Sequence, residues 1–158
     1  MTTPIKRAEQ AVLLEVPPMR ALTVRQPFAD AIVHGHPRDG LKTIENRSTT
    51  VPAPAKHLGT TILIHAGKEP HELGEDVDWE QRPDVRMGII GTARLVGVHI
   101  DDGGCCAPWG MRGYFHWQLA DARALATPVP ATGQLGLWTP KDDVLAAVHA
   151  QLTAGVAS

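Results

Sequence analysis

Residues 20 to 48 read RALTVRQPFADAIVHGHPRDGLKTIENRS, and the way this stretch divides decides the fold. Ala21 to Val24 is a short apolar run that reads as a strand. Pro27 suits a first helical position, where its missing N–H costs nothing, and Phe28, Ala29, Ile32 and Val33 then recur at helical spacing. Gly35 supplies a left-handed stop, and HPRDG at 36–40 is a loop. In LKTIENRS, period-two alternation puts Lys42, Ile44, Asn46 and Ser48 on one face and Thr43, Glu45 and Arg47 on the other. Of these only Ile44 is apolar. A strand holds its place by burying one face, so a strand polar on both is either a solvated edge or the wall of a polar cleft.

Outward from this unit, TTILIHA at 60–66 reads as a buried strand, and GIIGTARLVGVHI at 88–100 as a long one bent at Gly91 and Gly97. GYFHWQL at 113–119 is a further strand with Phe115, Trp117 and Leu119 on one face. Thr139, Pro140 and Asp142 form a helix start, and Val144, Leu145, Val148 and Leu152 give the closing helix its apolar stripe. Short strands carrying internal glycines, in an order unlike regular βαβ alternation, predict an α+β fold: a small, mostly antiparallel barrel with peripheral helices. Residues 1–19 read as a tail ending near Pro17 and Pro18, and 20–158 as a single domain. Residues 68 to 86 carry seven acidic and three basic side chains and read as a surface excursion.

An apolar fraction of 43% in 158 residues suffices for one core. No apolar run approaches the length of a membrane span, and the first ten residues lack a secretory core, so the expected location is the cytoplasm, without membrane contact. Charge is uneven: residues 1–56 hold eight Lys or Arg against five Asp or Glu, the remainder seven against twelve, so +3 and −5 give the net −2. A basic patch of Arg20, Arg25, Arg38, Lys42, Arg47 and Lys56 on an acidic body is one reading, a solvated surface the other. Cys105 and Cys106 are neighbours, a poor arrangement for a disulfide, and they lack the C-x2-C spacing of zinc sites, so they read as ordinary thiols beside Gly103 and Gly104. The spacing of His34 and His36 straddles a helix end and reads as loop. No metal and no cofactor is expected.

The chemistry concentrates around the first helix. Arg25 and Gln26 precede it, Lys42 to Arg47 follow its return, and a helix N-terminus offers backbone N–H groups to an anion. Arg47 supplies a fork matched to phosphate or a base edge, while Glu45 either pairs with its basic neighbours or accepts from a base amino group. His65 and Lys68 sit at the end of the strongest strand, and Trp109, Trp117, Trp138, Tyr114 and Phe115 are stacking or core residues.

The pairing of ALTVRQPFADAIVHG with LKTIENRS, continued in ILIHAGK, GIIGTARLVGV, YFHWQL and GQLGLW, resembles the ASCH domain, a PUA-like β-barrel family. The resemblance covers about residues 20 to 139. It implies a cleft beside the first helix, lined or shaped by Arg25, Gln26, Pro27, Lys42, Thr43, Glu45, Asn46 and Arg47; the strand-end residues His65 and Lys68 and the aromatic Trp138 are further candidate ligand contacts from the residues themselves. The implied ligand is single-stranded RNA or DNA, or a modified nucleoside. Some members of the family are hydrolases, ribonucleases or N4-acetylcytidine amidohydrolases; the resemblance matches Lys42 to the amidohydrolase Lys, and Lys42, Glu45 and His65 are the candidate acid–base residues by their chemistry. The amidohydrolase K-x-x-T pattern is not kept, because Glu45 stands where the Thr would be. A protein-interaction adaptor is the remaining alternative.

Overall fold

The computed structural model describes residues 19–49, 54–71 and 85–157. The expected tail, except Met19, and most of the acidic excursion lie outside the described residues. Six strands form one sheet: β1 (Ala21–Val24), β2 (Ile44–Arg47), β3 (Thr61–Ala66), β4 (Gly88–Ile100), β5 (Phe115–Pro130) and β6 (Leu137–Trp138), in the order β2-β5-β4-β3-β1-β6. Only β1 and β3 pair in parallel; the other four pairings are antiparallel. Helix α1 (Phe28–Val33) follows β1, and α2 (Asp142–Ala157) closes the chain. No described helix is long and apolar enough to cross a membrane.

Why β1 and β3 carry apolar residues on both faces follows from the sheet's two covers. Leu22, Ile62 and Ile64 pack on one face with Ala29, Ile32 and Val33 of α1, whereas Ala21 and Leu63 pack on the other with Val144 and Val148 of α2. Alternate residues of each strand thus meet a helix on either side, which removes the polar face an open sheet would carry. At Gly91 a Cβ would collide with the Val33 side chain and the Arg123 carbonyl, so glycine is what lets α1 sit down on β4.

The long strands are where the sheet curls. Register between β4 and β5 slips at Ile89/Gly91, Thr92/Arg94 and Leu95/Gly97, the first and third beside the two glycines that predict bends. Opposite the middle slip, Asp121 takes a left-handed φ of 52°. The curl stops short of closure: β2 pairs only with β5 and β6 only with β1, so the barrel is a half-barrel with a seam. The α+β, mostly antiparallel reading therefore holds.

Two boundaries differ from expectation. β5 runs on from Leu119 to Pro130 because β4 is long enough to pair with it from Ile100↔Phe115 to Gly88↔Pro130. α2 begins at Asp142, not directly after Thr139, whose hydroxyl accepts from Arg20.

Candidate functional site

The polar stretch around β2 is both an edge and a wall. Its backbone pairs on one side with β5, and its side chains face the seam, where the Arg47 Nη2 donates to the Thr23 carbonyl of β1 at 2.9 Å. Lys42, just ahead of the strand, folds back over it. Its Nζ donates to Ile44 O and, at 2.8 Å, to Glu45 Oε2, while Arg47 lies 3.2 Å from Glu45 Oε1. Alternation alone would separate Lys42 from Glu45; the flexible Lys stem and its place outside the strand bring them together. Lys42 and Glu45 are 4% and 8% exposed, so this is a buried cation–anion–cation cluster with one net positive charge. Burial by itself would raise the Glu45 carboxyl, but attraction to Lys42 and Arg47, the Lys42 hydrogen bond and nearby His71 outweigh it and hold Glu45 below the usual carboxylate range.

Two buried donors here lack an acceptor among the described residues: Arg47 Nε and Trp117 Nε1. They are neighbours, because the Arg47 guanidinium lies 5.8 Å from the centre of the Trp117 ring. Leaving a buried donor unpaired costs about 1–3 kcal/mol. Two adjoining cavities flank the cluster. One, ≈310 Å³, is lined by Thr23, Arg25, Phe28, Arg47 and the 134–136 loop; the other, ≈340 Å³, by Lys42, Asn46, Trp109, Met111 and Tyr114; both share Phe28, Glu45 and His71. A larger hollow of ≈690 Å³ beside α2 has no buried charged side chain in its lining.

Of the residues proposed from sequence, Arg25, Lys42, Glu45, Asn46 and Arg47 come together around these cavities. The others are placed differently. Gln26 is buried with its amide in use: Oε1 accepts from Asp30 N at 3.0 Å and Nε2 donates to Val85 O at 3.0 Å. Together with the Arg25 carbonyl, which takes the Phe28 and Ala29 N–H groups, this occupies the start of α1, so the expected anion site at that N-terminus is absent. Pro27 stands one residue ahead of the helix, at its cap. Thr43 is exposed, and Lys68 is exposed with its carbonyl accepting from Arg86.

His65 and Trp138 form a separate, interior set. The carbonyl of Ala131, 2.6 Å from His65 Nε2, can only accept, so Nε2 carries the proton and Nδ1 accepts from the Thr23 hydroxyl at 3.1 Å. Trp138 Nε1 donates to the same hydroxyl at 3.0 Å, and its ring meets His65 edge-on. His65 has no exposed surface; burial lowers its pKa, partly offset by the Ala131 hydrogen bond, and favours the neutral ring. Neither residue lines the two cavities.

Sequence reasoning missed His71 and Leu135 in the cavity walls, whereas Trp109 and Tyr114, two of its stacking candidates, do line one of the cavities. Leu135, 99% exposed in a loop beside Gly136, carries no local signal in the sequence that marks it as a wall residue. Trp109 and Met111 are fixed by Asn46, whose Nδ2 donates to Trp109 O at 2.9 Å and whose Oδ1 accepts from Met111 N at 2.8 Å. Also missed is the convergence of His99, Cys105, Cys106 and His116 at the far end of the β4–β5 hairpin.

No family model matches the chain, and no curated protein does. Solved structures do. The ASCH protein of Zymomonas mobilis aligns over 84% of this chain and 94% of its own at 18% identity, with a TM-score of 0.51 or 0.52 for one mutant form and the unmutated protein. A second mutant form gives 19% identity, 85% and 98% coverage and a TM-score of 0.52. Likeness of this degree speaks for architecture, and with six strands, two helices and the seam in place the chain has the ASCH-domain fold.

Proposed function

We propose that the seam beside α1 binds a nucleobase-bearing phosphate ligand, as single-stranded RNA or DNA or as a modified nucleotide. The observation that carries this reading is the pair of buried, acceptorless donors, Arg47 Nε and Trp117 Nε1, at a cluster with one net positive charge. A phosphate or base carbonyl oxygen is the complement such donors lack. Lys42 and Glu45 hold Arg47 in place, Arg25 at the rim adds a solvent-facing charge, and Trp109, Tyr114 and Phe28 offer ring surface on which a base stacks. Each cavity is near the lower end of the 300–1,000 Å³ range of small-ligand sites, about the size for one nucleoside at a time.

A hydrolase acting on the same ligand is the second reading, favoured by the histidine at the cleft. His71 shares both cavities with Glu45, which makes it, in place of His65, the imidazole within reach of a bound ligand. Fluorescence anisotropy of short labelled single strands, wild type beside Arg47→Lys, tests the binding. Saturable binding weakened about 10- to 100-fold by the substitution is expected, since Lys keeps the charge and loses the fork. No saturable binding of oligonucleotides or mononucleotides at low salt would overturn the proposal. Product formation that His71→Gln abolishes while affinity persists would establish the second reading.

A further inference from the structure

β4 and β5 place His99 directly opposite His116, and the loop between the strands folds Cys105 and Cys106 back onto that pair. Their ligand atoms all lie within 4.8 Å of one another. Cys105 Sγ is 3.5 Å from His99 Nε2 and 3.5 Å from His116 Nδ1; Cys106 Sγ is 3.4 Å from His99 Nε2 and 3.1 Å from the other sulfur. Tetrahedral zinc with bonds of about 2.3 Å to sulfur and 2.0–2.1 Å to nitrogen places neighbouring S and N about 3.5 Å apart, and two sulfurs about 3.8 Å apart. The three sulfur–nitrogen separations match that edge, and the sulfurs stand somewhat closer than it. We propose that His99, Cys105, Cys106 and His116 form a tetrahedral Cys2His2 zinc site that clips the β4–β5 hairpin loop to the sheet.

The surroundings are built for this. His116 is fully buried, and its Nε2 lies 2.8 Å from the Met111 carbonyl, which can only accept, so Nε2 holds the proton and the Nδ1 lone pair faces the sulfurs. A ligating histidine fixed through its other nitrogen in this way is the usual outer arrangement of a zinc site. Asp101 ties the loop at both ends, Oδ1 accepting from Gly104 N at 3.2 Å and Oδ2 from Gly113 N at 3.3 Å, with Oδ1 3.8 Å from Cys105 Sγ. Cys106 adopts a left-handed φ of 70°, rare outside glycine, which turns two consecutive side chains toward one point. A Cβ on Gly110 would stand 2.7 Å from Cys105 O and 2.8 Å from both Cys106 Cβ and His116 Cε1, so glycine is what lets the loop close.

The expectation of ordinary thiols and no metal considered only ligands near in sequence. Here two of the four arrive by strand pairing, at separations that no C-x2-C pattern describes. Binding displaces one proton from each thiol, and two thiolates, two neutral imidazoles and Zn²⁺ sum to zero charge, which suits a partly buried position. Four protein ligands leave no open position, so the ion is structural. Through Trp109 and Met111, both bonded to Asn46, the clip also sets one wall of the candidate cleft.

The full-length protein, purified with reduced thiols and no chelator, is expected to hold about one zinc per chain by elemental analysis. Replacing zinc with Co²⁺ is expected to give the strong visible ligand-field bands of a tetrahedral site together with thiolate charge transfer. Cys105→Ser/Cys106→Ser loses the metal, and His99→Gln, at a half-buried position that leaves the fold readable by circular dichroism, weakens Co²⁺ binding at least about tenfold. A folded wild-type protein with both thiols reduced that takes up neither ion would overturn the proposal. So would zinc retained undiminished by the folded double cysteine variant, or a Co²⁺ spectrum without thiolate bands.

Discussion

The β2 seam and the tip of the β4–β5 hairpin are both polar clusters on one curled sheet, but they are assembled in opposite ways. Lys42, Glu45 and Arg47 lie within six consecutive residues, and local chain geometry brings them together. His99, Cys105, Cys106 and His116 span 18 residues and meet only because two long strands pair in register. The first cluster sets one carboxylate between two cations, keeps one net positive charge and leaves two donors beside it unpaired; the second consists of thiols and imidazoles that a metal would draw together. A charged cluster is held by its own attraction, whereas a neutral ligand set is held by the fold around it and by the ion it takes.

The contrast is broken most sharply by removing a charge. Lys42→Met leaves buried Glu45 with Arg47 alone and is expected to lower stability by about 3 kcal/mol in chemical denaturation, with much of the loss recovered in Lys42→Met/Glu45→Leu. A loss under about 1 kcal/mol would mean the cluster is solvated like a surface pair. At the hairpin the comparable lesion is steric: Gly110→Ala is expected to cost about 1–3 kcal/mol and to raise hydrogen exchange in residues 101–114 while sparing β2. Exchange that rises equally in both regions would show that they are one unit.

Acid separates the two interior sets next. The folded pKa of Glu45 lies below its unfolded value of about 4.3, so its contribution is complete above that pH and is lost as pH falls through the lower folded value. His65 is also depressed, and a depressed base loses stability as pH falls below its unfolded value of about 6.5. Urea midpoints are therefore expected to decline in two steps, with Glu45→Gln flattening the lower and His65→Gln the upper; a lower step that survives Glu45→Gln would contradict the assignment. A further effect is expected at the side-chain tie between the regions, which adds to the backbone pairing of Asn46 with His116. Asn46→Ala, losing two hydrogen bonds, is expected to cost about 1–3 kcal/mol and to uncouple the cleft from the hairpin, so that chelator no longer changes ligand affinity.

What was legible in the sequence follows the same division. The strand–helix–strand start, the glycine bends at Gly91 and Gly97 and the Lys42–Arg47 cluster all rest on local spacing, which sequence displays directly. Where tertiary contacts decide, local rules failed: Arg20 donates to Thr139, Gln26 and Arg25 consume the α1 N–H groups, and Thr23 and Ala131 enclose His65. His116 alternates with Phe115 and Trp117 as a solvent-facing residue should, yet it is buried, because the loop that covers it is specified by Gly110 and Cys106, six and ten residues upstream.

The proposed contact between a ligand oxygen and the unpaired Arg47 Nε–H is read directly by the cross-peak of that group in a nitrogen–proton NMR spectrum. Adding unlabelled short single-stranded RNA, and separately nucleoside monophosphates, is predicted to move that peak downfield in a saturable way as a hydrogen bond forms. A peak that stays in place while backbone resonances elsewhere report binding would overturn this contact and put the ligand outside the seam.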